Sequence, residues 1–401
     1  MPATATSVHS NLHLSEFAPT FVQSEIRAMN GACAAVNGIN MAQGVCDTDP
    51  PHPVVEGAIE AIRSGHNIYS RLEGVLALRQ AIAKKLATFN GLHVDPEREV
   101  LVTTGATGAM HSTLLALLNP GDECLVLEPF YGYHISTLAS QRIVPVVVPM
   151  HAPEWALDMD RLHAAVTPRT RAIILNSPGN PSGKVFTLAE LESLAAFALE
   201  HDLFVLTDEM YEYFLYDGAS HISIATLPGM YERTITISGF SKTFSVTGWR
   251  LGYLAASPRW TEAIGNFHDL TYICAPSPLQ HGAAAGLLAL PASFYTDMAS
   301  EYQDKRDMVC ASLTRAGLTP SVPNGAYYIL ADASRVPGDS AKLKARRLLA
   351  DTGVATVAGS AFFGTDRNGH NRGETLLRFC FAKKQEELVE ACRRLDTYRA
   401  S

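Results

Sequence analysis

The sequence predicts an α/β fold in which a large, mostly parallel seven-stranded sheet is joined to a smaller α+β unit. The 401 residues exceed the roughly 250 to 300 at which a single core stops growing. A composition of 47% hydrophobic and 18% charged residues is typical of a globular protein. From about residue 75 onward, short apolar segments alternate with segments of helical periodicity, a pattern that indicates βα units.

The elements of the large sheet can be assigned in chain order. A helix precedes the first strand, because apolar residues recur at helical spacing at Leu78, Ile82, Leu86 and Phe89. Seven runs are too apolar to alternate against solvent and are therefore predicted as buried strands. These runs are residues 100–102, 124–127, 144–148, 172–175, 203–207, 234–238 and 252–255. Ligands of such sheets bind beyond the carboxyl ends of the strands.

The pattern changes after about residue 290, where a second, α+β unit is expected. Its predicted elements are a long polar helix at 295–315, strands at 326–330, 354–357 and 376–381, and a final helix. Residues 1–50 have no sheet pattern of their own and are expected to pack on this unit. We therefore expect a large domain at 54–292 and a small domain formed by 1–53 together with 293–401.

The charge balance argues against nucleic acid as a partner. The 32 Lys and Arg residues against 40 Asp and Glu give a net charge of −8, which provides no basic surface to neutralise phosphodiesters. The first 25 residues contain no basic stretch followed by an apolar run, and no run of about 18 apolar residues occurs. We therefore expect neither a signal peptide nor a membrane span, and a cytoplasmic protein.

The cysteines and histidines do not indicate a metal site. The seven cysteines are scattered and include no C-x-x-C pair, so they are expected to be buried thiols in a reducing compartment. The histidines, including His111 and His134, show no metal-ligand spacing and are expected to be ordinary polar residues.

The segment 238–252 carries a lysine and an arginine directly after a predicted strand. Lys242, flanked by Ser241 and Thr243, lies where burial can keep its amine neutral enough to attack a carbonyl. Arg250 could give bidentate hydrogen bonds to a phosphate near that carbonyl. The alternative is that both are surface charges in a loop.

This segment resembles the cofactor-lysine motif of the class I/II pyridoxal-phosphate-dependent aminotransferases, which are of the aspartate aminotransferase type and have fold type I. The resemblance covers nearly the whole chain, and its motifs occur in the family's order. It implies that Lys242 holds pyridoxal 5′-phosphate covalently and that Arg250 binds the phosphate. Many relatives have a serine three residues before the lysine, where this chain has Gly239, so Ser241 is expected to supply the hydroxyl.

A glycine-containing turn lies between a predicted strand and a predicted helix at 103–109. Free N–H groups at the helix start and the Thr107 hydroxyl suit a phosphate, although a short G-x-x-G is also common as a simple tight turn. The resemblance implies that Gly105, Ala106 and Thr107 cup the cofactor phosphate.

The segment 176–184 resembles the family's N-P-[ST]-G turn. Its spacing fails the phosphate-loop pattern G-x-x-x-x-G-K-[ST], so no nucleotide site is predicted. The residues could also form a purely structural turn. The resemblance implies that Asn180 hydrogen-bonds the phenolic oxygen of the cofactor and contributes to the substrate site. The bonds before Pro178 and Pro181 are candidate cis peptides.

Asp208 ends a predicted strand at the carboxyl edge of the sheet, where binding sites collect. A carboxylate there can pair with a protonated pyridine nitrogen and keep the ring an electron sink, although an aspartate after a strand is also a common helix N-cap. The resemblance favours the pairing and adds Tyr211 as a contact to the same ring oxygen as Asn180. It also aligns Tyr131 with the aromatic residue that stacks on the cofactor.

Three further residues complete the expected site. Arg378 lies in an apolar strand, where a buried guanidinium needs an anion as its partner. An internal carboxylate is one candidate for this anion. The resemblance implies the other, the α-carboxylate of the substrate. Gly44 resembles the glycine of the substrate pocket. Tyr69 resembles the tyrosine that crosses a dimer interface to the partner's phosphate, with an ordinary loop tyrosine as the alternative. The stretch 272–280 contains no second arginine for a side-chain carboxylate, so a dicarboxylate specialist is not expected.

Together these residues and the resemblance imply an aminotransferase that acts on small molecules, and the resemblance of Tyr69 implies a homodimer. The resemblance implies ping-pong transfer of an amino group between an L-amino acid and a 2-oxo acid, with Lys242 moving the α-proton and Asp208 and Tyr211 assisting. One alternative is another reaction of the same cofactor at the α, β or γ carbon, such as elimination, replacement or cyclisation. A non-catalytic ligand-sensing module is the other, and the lack of a basic N-terminal extension disfavours it.

Overall fold

The computed structural model describes residues 12–15, 18 and 25–399. Its helices are α1 (Glu25–Ala35), α2 (His52–Arg63), α3 (Leu76–Lys85), α4 (Gly105–Leu117), α5 (Gly132–Ser140), α6 (Met159–Ala164), α7 (Leu188–Glu200), α8 (Pro258–Tyr272), α9 (Ser277–Ala289), α10 (Ala292–Arg315), α11 (Ala341–Thr352) and α12 (Gln385–Thr397). Its strands are β1 (Ile39–Asn40), β2 (Val100–Thr104), β3 (Glu123–Glu128), β4 (Val144–Pro149), β5 (Thr170–Asn176), β6 (Phe204–Asp208), β7 (Thr234–Gly239), β8 (Leu251–Ala255), β9 (Thr319–Ser321), β10 (Tyr328–Asp332), β11 (Val354–Ala355), β12 (Val357–Ala358) and β13 (Leu376–Cys380). Over the described residues, none of the helices combines the length and the apolar character needed to span a membrane.

One seven-stranded sheet forms the centre of the fold, with the strand order β2-β8-β7-β6-β5-β3-β4. Strand β8 runs antiparallel to both of its neighbours, and the remaining neighbouring strands are parallel. All seven predicted strands lie in this sheet. The prediction of a large, mostly parallel sheet is therefore confirmed.

Helices cover both faces of the large sheet, which explains why its strands are continuous apolar runs. In β6, the adjacent residues Val205 and Leu206 point to opposite faces and belong to separate buried clusters. Helices α4 and α8 contribute to the cluster around Leu206, and α7 contributes to the cluster around Val205. Each fully buried Val or Leu side chain stabilises such a sheet by about 1.5–3 kcal/mol.

Two smaller sheets form the second unit. Strands β12, β13, β10 and β9 make an antiparallel sheet, and β1 pairs with β11 in parallel. The single strand predicted at 354–357 is wrong, because it divides into β11 and β12, which belong to different sheets. Thr356 lies at the division and donates a hydrogen bond from Oγ1 to the Arg378 carbonyl oxygen at 2.5 Å. The strand predicted at 326–330 begins only at Tyr328, since Ala326 has a φ of 58°, which is incompatible with an extended strand.

Two side chains differ from the pattern that the sequence indicates. Phe89 follows α3 in a π-helical turn, Leu86–Asn90. The wider turn leaves Phe89 38% exposed and buries Asn90 instead. Cys274 is only half-buried in the loop after α8, whereas the other six cysteines are buried and all seven are free thiols.

The carboxyl ends of β5, β6 and β7 meet at one edge of the large sheet. Asn176 pairs in register with Asp208, and Asp208 pairs with Ile237. Strand β7 ends at Gly239, shortly before Lys242. The parallel topology therefore brings three of the sequence motifs to one place.

Candidate active site

A cavity of about 520 Å³ lies at this edge of the sheet. Residues of α1, β10 and β13 line it together with the ends of β5, β6 and β7. Eleven of the thirteen predicted site residues line this cavity: Gly44, Ala106, Thr107, Tyr131, Asn180, Asp208, Tyr211, Ser241, Lys242, Arg250 and Arg378. Gly105 and Tyr69 do not.

Lys242 lies in the turn after β7 and lines the cavity with Arg250 and Arg378. Its Nζ donates a hydrogen bond to the Gly44 carbonyl oxygen at 2.9 Å. Burial lowers the pKa of the Lys242 amine because the charged form loses hydration, and the positive charges of Arg250 and Arg378 add to this effect. A lysine amine that is more often neutral is a better nucleophile and a better proton acceptor.

Arg250 and the first turn of α4 form a cradle for an anion. Arg250 has a left-handed φ of 55°, and its Nη1 donates to the Thr247 carbonyl oxygen at 3.1 Å. Gly105 also has a positive φ, 70°, and a Cβ there would lie 2.5 Å from the Arg250 Nη2. Gly105 therefore makes room for the guanidinium, while Ala106 and Thr107 line the cavity. Free N–H groups at a helix start beside a guanidinium favour a phosphate.

Asp208 is buried at the end of β6 and is fixed by two side chains. His134 Nε2 lies 3.0 Å from Asp208 Oδ2, and Asn176 Nδ2 donates to the Asp208 carbonyl oxygen at 3.0 Å. The Tyr131 ring meets the His134 imidazole edge-on, with centroids 5.3 Å apart. His134 is therefore not the ordinary polar residue that was expected. Motif spacing could not reveal this contact, because 74 residues separate the two partners.

Arg378 is 1% exposed and lines the cavity from β13. Its Nη1 donates to Asn180 Oδ1 at 3.1 Å, and its Nη2 donates to the Ala42 carbonyl oxygen at 2.6 Å. The rings of Tyr328 and Phe362 lie 4.5 and 4.7 Å from the guanidinium carbon, at cation–π distance. The Nε of Arg378 is buried without a partner among the described residues. A buried donor without a partner indicates a missing acceptor, and a carboxylate is the acceptor that a guanidinium prefers.

Asn180 lies in a turn with two cis peptide bonds. Ser177–Pro178 and Asn180–Pro181 are both cis, as predicted, and Glu128–Pro129 and Ala152–Pro153 are cis as well. The Asn180 backbone N–H donates to Asn176 Oδ1 at 2.7 Å. Because the Asn180 side-chain oxygen accepts from Arg378, its amide nitrogen is left to donate into the cavity.

Tyr211 and Tyr328 meet at the wall of the cavity, with their hydroxyl oxygens 3.0 Å apart. Burial raises the pKa of Tyr211 well above its usual value, and Tyr328 adds to the shift, so the Tyr211 phenol stays protonated and can donate. A Cβ on Gly44 would collide with the Tyr328 hydroxyl. Tyr328 was not among the predicted site residues, because the sequence presents it only as part of an apolar strand.

A buried charge network follows Asp208 in the chain, and its members do not line the cavity. Lys85 Nζ lies 2.5 Å from Glu212 Oε2, and His221 Nε2 lies 2.8 Å from Glu209 Oε2. Asn90 also donates to Glu212 at 2.9 Å. Burial alone would lower the pKa of His221, but the charge of Glu209 and its hydrogen bond raise it. Two basic side chains therefore face two carboxyl groups, and the network joins the end of α3 to the segment after β6.

Tyr69 does not line the cavity of its own chain. It is 75% exposed, and the adjacent Ile68 is 80% exposed. The expectation that Tyr69 serves the site of a partner subunit concerns a second chain and stays a prediction.

The residues of the cavity fit pyridoxal phosphate. The cradle around Arg250 matches its phosphate, with the buried Ser241 beside it. Asp208 matches a protonated ring nitrogen, and the Lys242 amine matches an aldehyde. The unpaired Nε of Arg378 matches the carboxylate of an amino acid substrate.

An α/β fold whose sheet edge brings a lysine, a carboxylate and a phosphate cradle to one cavity defines a pyridoxal-phosphate-dependent transferase. The chain matches the family described as aminotransferase class I and II over residues 36–395. It belongs to this family and is a pyridoxal-phosphate-dependent aminotransferase, which moves an amino group between an amino acid and a 2-oxo acid.

Individual relatives cover nearly the whole chain. The chain is 38% identical over 377 residues to the aromatic-amino-acid aminotransferase 2 of Thermococcus litoralis, which covers 93% of this chain and 95% of that protein. The identity to the aspartate aminotransferase of Pyrococcus abyssi is also 38% over 377 residues, with the same shares of 93% and 95%. Among solved structures, the N-succinyldiaminopimelate aminotransferase from Mycobacterium tuberculosis matches with a TM-score of 0.91 and 34% identity over 96% of this chain and 99% of that one. The predicted family, fold type and cofactor are confirmed.

Proposed function

We propose that Lys242 carries the cofactor and moves the proton during amino transfer, and that Arg378 binds the α-carboxylate of the substrate. One observation carries this proposal. A lysine whose pKa is lowered by burial lines the same cavity as a buried carboxylate and the arginines Arg250 and Arg378. Such a cluster combines a nucleophile with partners for a cation and for two anions.

The chain's own residues position and move the proton. Pyridoxal phosphate, when bound, supplies the aldehyde that exchanges amino groups and a ring that withdraws electrons from the α-carbon. With the cofactor bound and the substrate amino group in place of Lys242 on it, the freed Lys242 Nζ would be the base that takes the α-proton and the acid that gives it back. Asp208, held by His134, would provide the negative charge that keeps the ring nitrogen protonated.

Other residues hold the reactants in register. Arg250, Thr107 and Ser241 anchor the phosphate, so the ring cannot slide relative to Lys242. Arg378 and the Asn180 amide bind the substrate carboxylate. This anchoring at two ends aligns the α-carbon with the Lys242 amine, which lowers the entropic part of the barrier.

We also propose that the small domain, residues 1–53 with 293–401, closes over the large domain at 54–292. Arg378 of β13 and Lys242 after β7 line one cavity, which supports a site that is completed by both units. Closure would exclude water and strengthen the charge interactions inside.

The proposed assembly is a homodimer in which Tyr69 reaches the phosphate of the partner's site. The high exposure of Tyr69 and Ile68 on one loop supports this assembly, because large side chains of this type are usually covered. A reducing compartment such as the cytoplasm is also proposed, supported by the seven free thiols.

Borohydride reduction of the holoenzyme tests the role of Lys242. We expect the reduced cofactor on the peptide that contains Lys242, and Lys242→Ala should lose at least about 100-fold in the rate of the half-reaction with an amino acid. The products of that half-reaction should be the matched 2-oxo acid and the aminated cofactor. Label on another peptide, or release of ammonia in place of a retained amino group, would contradict the proposal.

A further inference from the structure

We propose that Arg27 binds the side-chain carboxylate of dicarboxylic substrates, so that this enzyme accepts acidic amino acids and dicarboxylic 2-oxo acids. The inference rests on the proposed function, because it adds a second carboxylate site to the cavity in which Arg378 binds the first. The stretch 272–280 supplies no such arginine. Helix α1 brings one to the cavity from another part of the fold.

The charges in the cavity leave Arg27 without an assigned anion. Among the described residues that line it, the strongly basic groups are Arg27, Lys242, Arg250 and Arg378, and the carboxylate is Asp208. The cofactor phosphate pairs with Arg250, the substrate α-carboxylate pairs with Arg378, and Asp208 pairs with the ring nitrogen. An additional negative charge on the substrate would therefore be attracted to Arg27.

Arg27 is exposed on α1, and its guanidinium has no hydrogen bond or ion pair with another residue that the structure describes. Glu25, the acidic residue of α1, is instead bound to Lys342, with Oε1 at 2.6 Å from Nζ. A planar guanidinium offers five N–H donors in a fork that fits a carboxylate, so Arg27 is free to bind one.

Helix α1 is tied to the segment that contacts the reactive lysine. Asn30 Nδ2 donates to Gln43 Oε1 at 3.0 Å. The next residue, Gly44, accepts the hydrogen bond from the Lys242 amine. Arg27 lies three residues before Asn30 and therefore shares its helix face. This connection holds the helix that carries Arg27 beside the segment that contacts the Lys242 amine.

The remaining wall of the cavity is compatible with uncharged substrates. Ile26, Val45 and Met110 line it as apolar residues, beside Tyr133 and Thr137. An uncharged side chain can contact this wall without Arg27. We therefore expect Arg27 to affect dicarboxylic substrates selectively, while uncharged amino acids react at rates that do not depend on it.

Ligand binding to the holoenzyme provides the first test. Glutarate and pentanoate have the same chain length but differ by one carboxylate, so the ratio of their inhibition constants isolates the second charge. We expect Arg27→Gln to weaken glutarate binding about 10- to 100-fold, the loss typical of a charge-assisted hydrogen bond. Pentanoate binding should change by less than about twofold.

The second test compares half-reactions with glutamate and norvaline, which also differ by one carboxylate. The kcat/KM for glutamate should fall about 10- to 100-fold in Arg27→Gln, whereas the value for norvaline should stay within about twofold. Arg27→Lys should recover part of the loss, since it keeps the charge without the fork. Arg346→Gln is the matched control, because Arg346 is an exposed helical arginine that does not line the cavity.

Two outcomes would overturn the inference. Arg27→Gln could lower both kcat/KM values equally, or the wild-type enzyme could bind glutarate no better than pentanoate. If norvaline is converted to its 2-oxo acid but glutamate is not, this inference fails and the proposed function stands. If no amino acid yields a 2-oxo acid, the proposed function itself fails.

Discussion

His134 holds the Asp208 carboxylate through a contact of 3.0 Å in a buried environment. Replacing it with phenylalanine keeps a ring but removes the hydrogen bond to a charged group. We expect His134→Phe to lower kcat about 10- to 100-fold, the usual effect of losing such a bond. His134→Gln, which retains a donor, should be less affected. Stopped-flow measurement of the amino acid half-reaction at saturating cofactor gives the comparison.

The control for this prediction is a histidine–aspartate pair at the surface. His151 Nε2 lies 3.0 Å from Asp158 Oδ2, but the His151 side chain is 52% exposed. His151→Gln should leave kcat unchanged, because exposed ion pairs contribute little. If His134→Phe retained wild-type kcat, Asp208 would not need the imidazole for its role.

Gly44 is a second position where one atom matters. A Cβ there would collide with the Tyr328 hydroxyl, which contacts Tyr211. We expect Gly44→Ala to raise the KM for amino acids by about 5- to 150-fold, since overpacking typically costs about 1–3 kcal/mol.

Gly31 provides the matched substitution for Gly44→Ala. It lies in α1, and a Cβ there has no atom within 4 Å. Gly31→Ala should leave KM unchanged and increase stability by about 0.5–1 kcal/mol, because alanine is the better helix former. A normal KM in Gly44→Ala would contradict the prediction, because it would show that the segment around Gly44 accommodates the added methyl group without weakening substrate binding.

Some site residues can be predicted from sequence because their chemistry depends on local position. Lys242 and Asp208 directly follow apolar strands, and Arg378 lies inside one, so the unusual charge is visible in the printed chain. His134 and Tyr328 carry no such signal. Their contacts with Asp208 and Tyr211 depend on how separate elements pack, which a motif does not encode.

At the level of elements, the buried network around Glu209 makes stability depend on pH. Burial would raise the pKa of Glu209, but the charge and hydrogen bond of His221 and the Ser223 hydroxyl outweigh it and lower the pKa. The pKa of His221 is raised. This pair therefore contributes fully between the ordinary glutamate pKa of about 4.3 and the ordinary histidine pKa of about 6.5. The contribution is lost as the pH rises through the raised pKa of His221, and also as it falls through the lowered pKa of Glu209.

The substitution His221→Gln tests this dependence. We expect it to destabilise the protein by about 3–5 kcal/mol at pH 6, as for other broken buried pairs, and by less at pH 9, because a rising pH removes the charge of His221. Urea unfolding of the two proteins at each pH gives the difference. His52→Gln, at a side chain 85% exposed, should change stability by less than about 0.5 kcal/mol. A difference of equal size at both pH values would rule out a charged His221.

Some of the helices and strands can be predicted from the sequence, and others cannot. The seven strands of the large sheet are continuous apolar runs buried on both faces, and each was predicted within a few residues. The division of 354–357 into β11 and β12 depends on two pairing partners, β1 and β13, that lie far away in the chain. The π-helical turn that exposes Phe89 adds one residue to a helical pattern, and a periodicity of 3.6 cannot show such an insertion.

For the whole molecule, the cavity is lined by residues of both the seven-stranded sheet and the four-stranded sheet. The large sheet supplies Lys242 and Asp208, and the second unit supplies Arg378 and Tyr328. The overall arrangement was predictable because the motifs occur in a family's order along nearly the whole chain. The contribution of α1 through Arg27 was not, because a charged residue in an N-terminal helix has the same pattern as a solvated one.

The proposed role of Tyr69 can be tested by mixing two inactive subunits. If Tyr69 acts across a dimer, a chain with Lys242→Ala and intact Tyr69 complements a chain with Tyr69→Ala and intact Lys242. Random exchange places one complete site in each mixed dimer. About a quarter of the wild-type activity should therefore appear, measured at a cofactor concentration that limits the activity of the Tyr69→Ala homodimer. If Tyr69 served its own chain, neither site of a mixed dimer would be complete and mixing would restore nothing. Light scattering on the same samples should give the mass of a dimer, and a monomer would contradict the assembly.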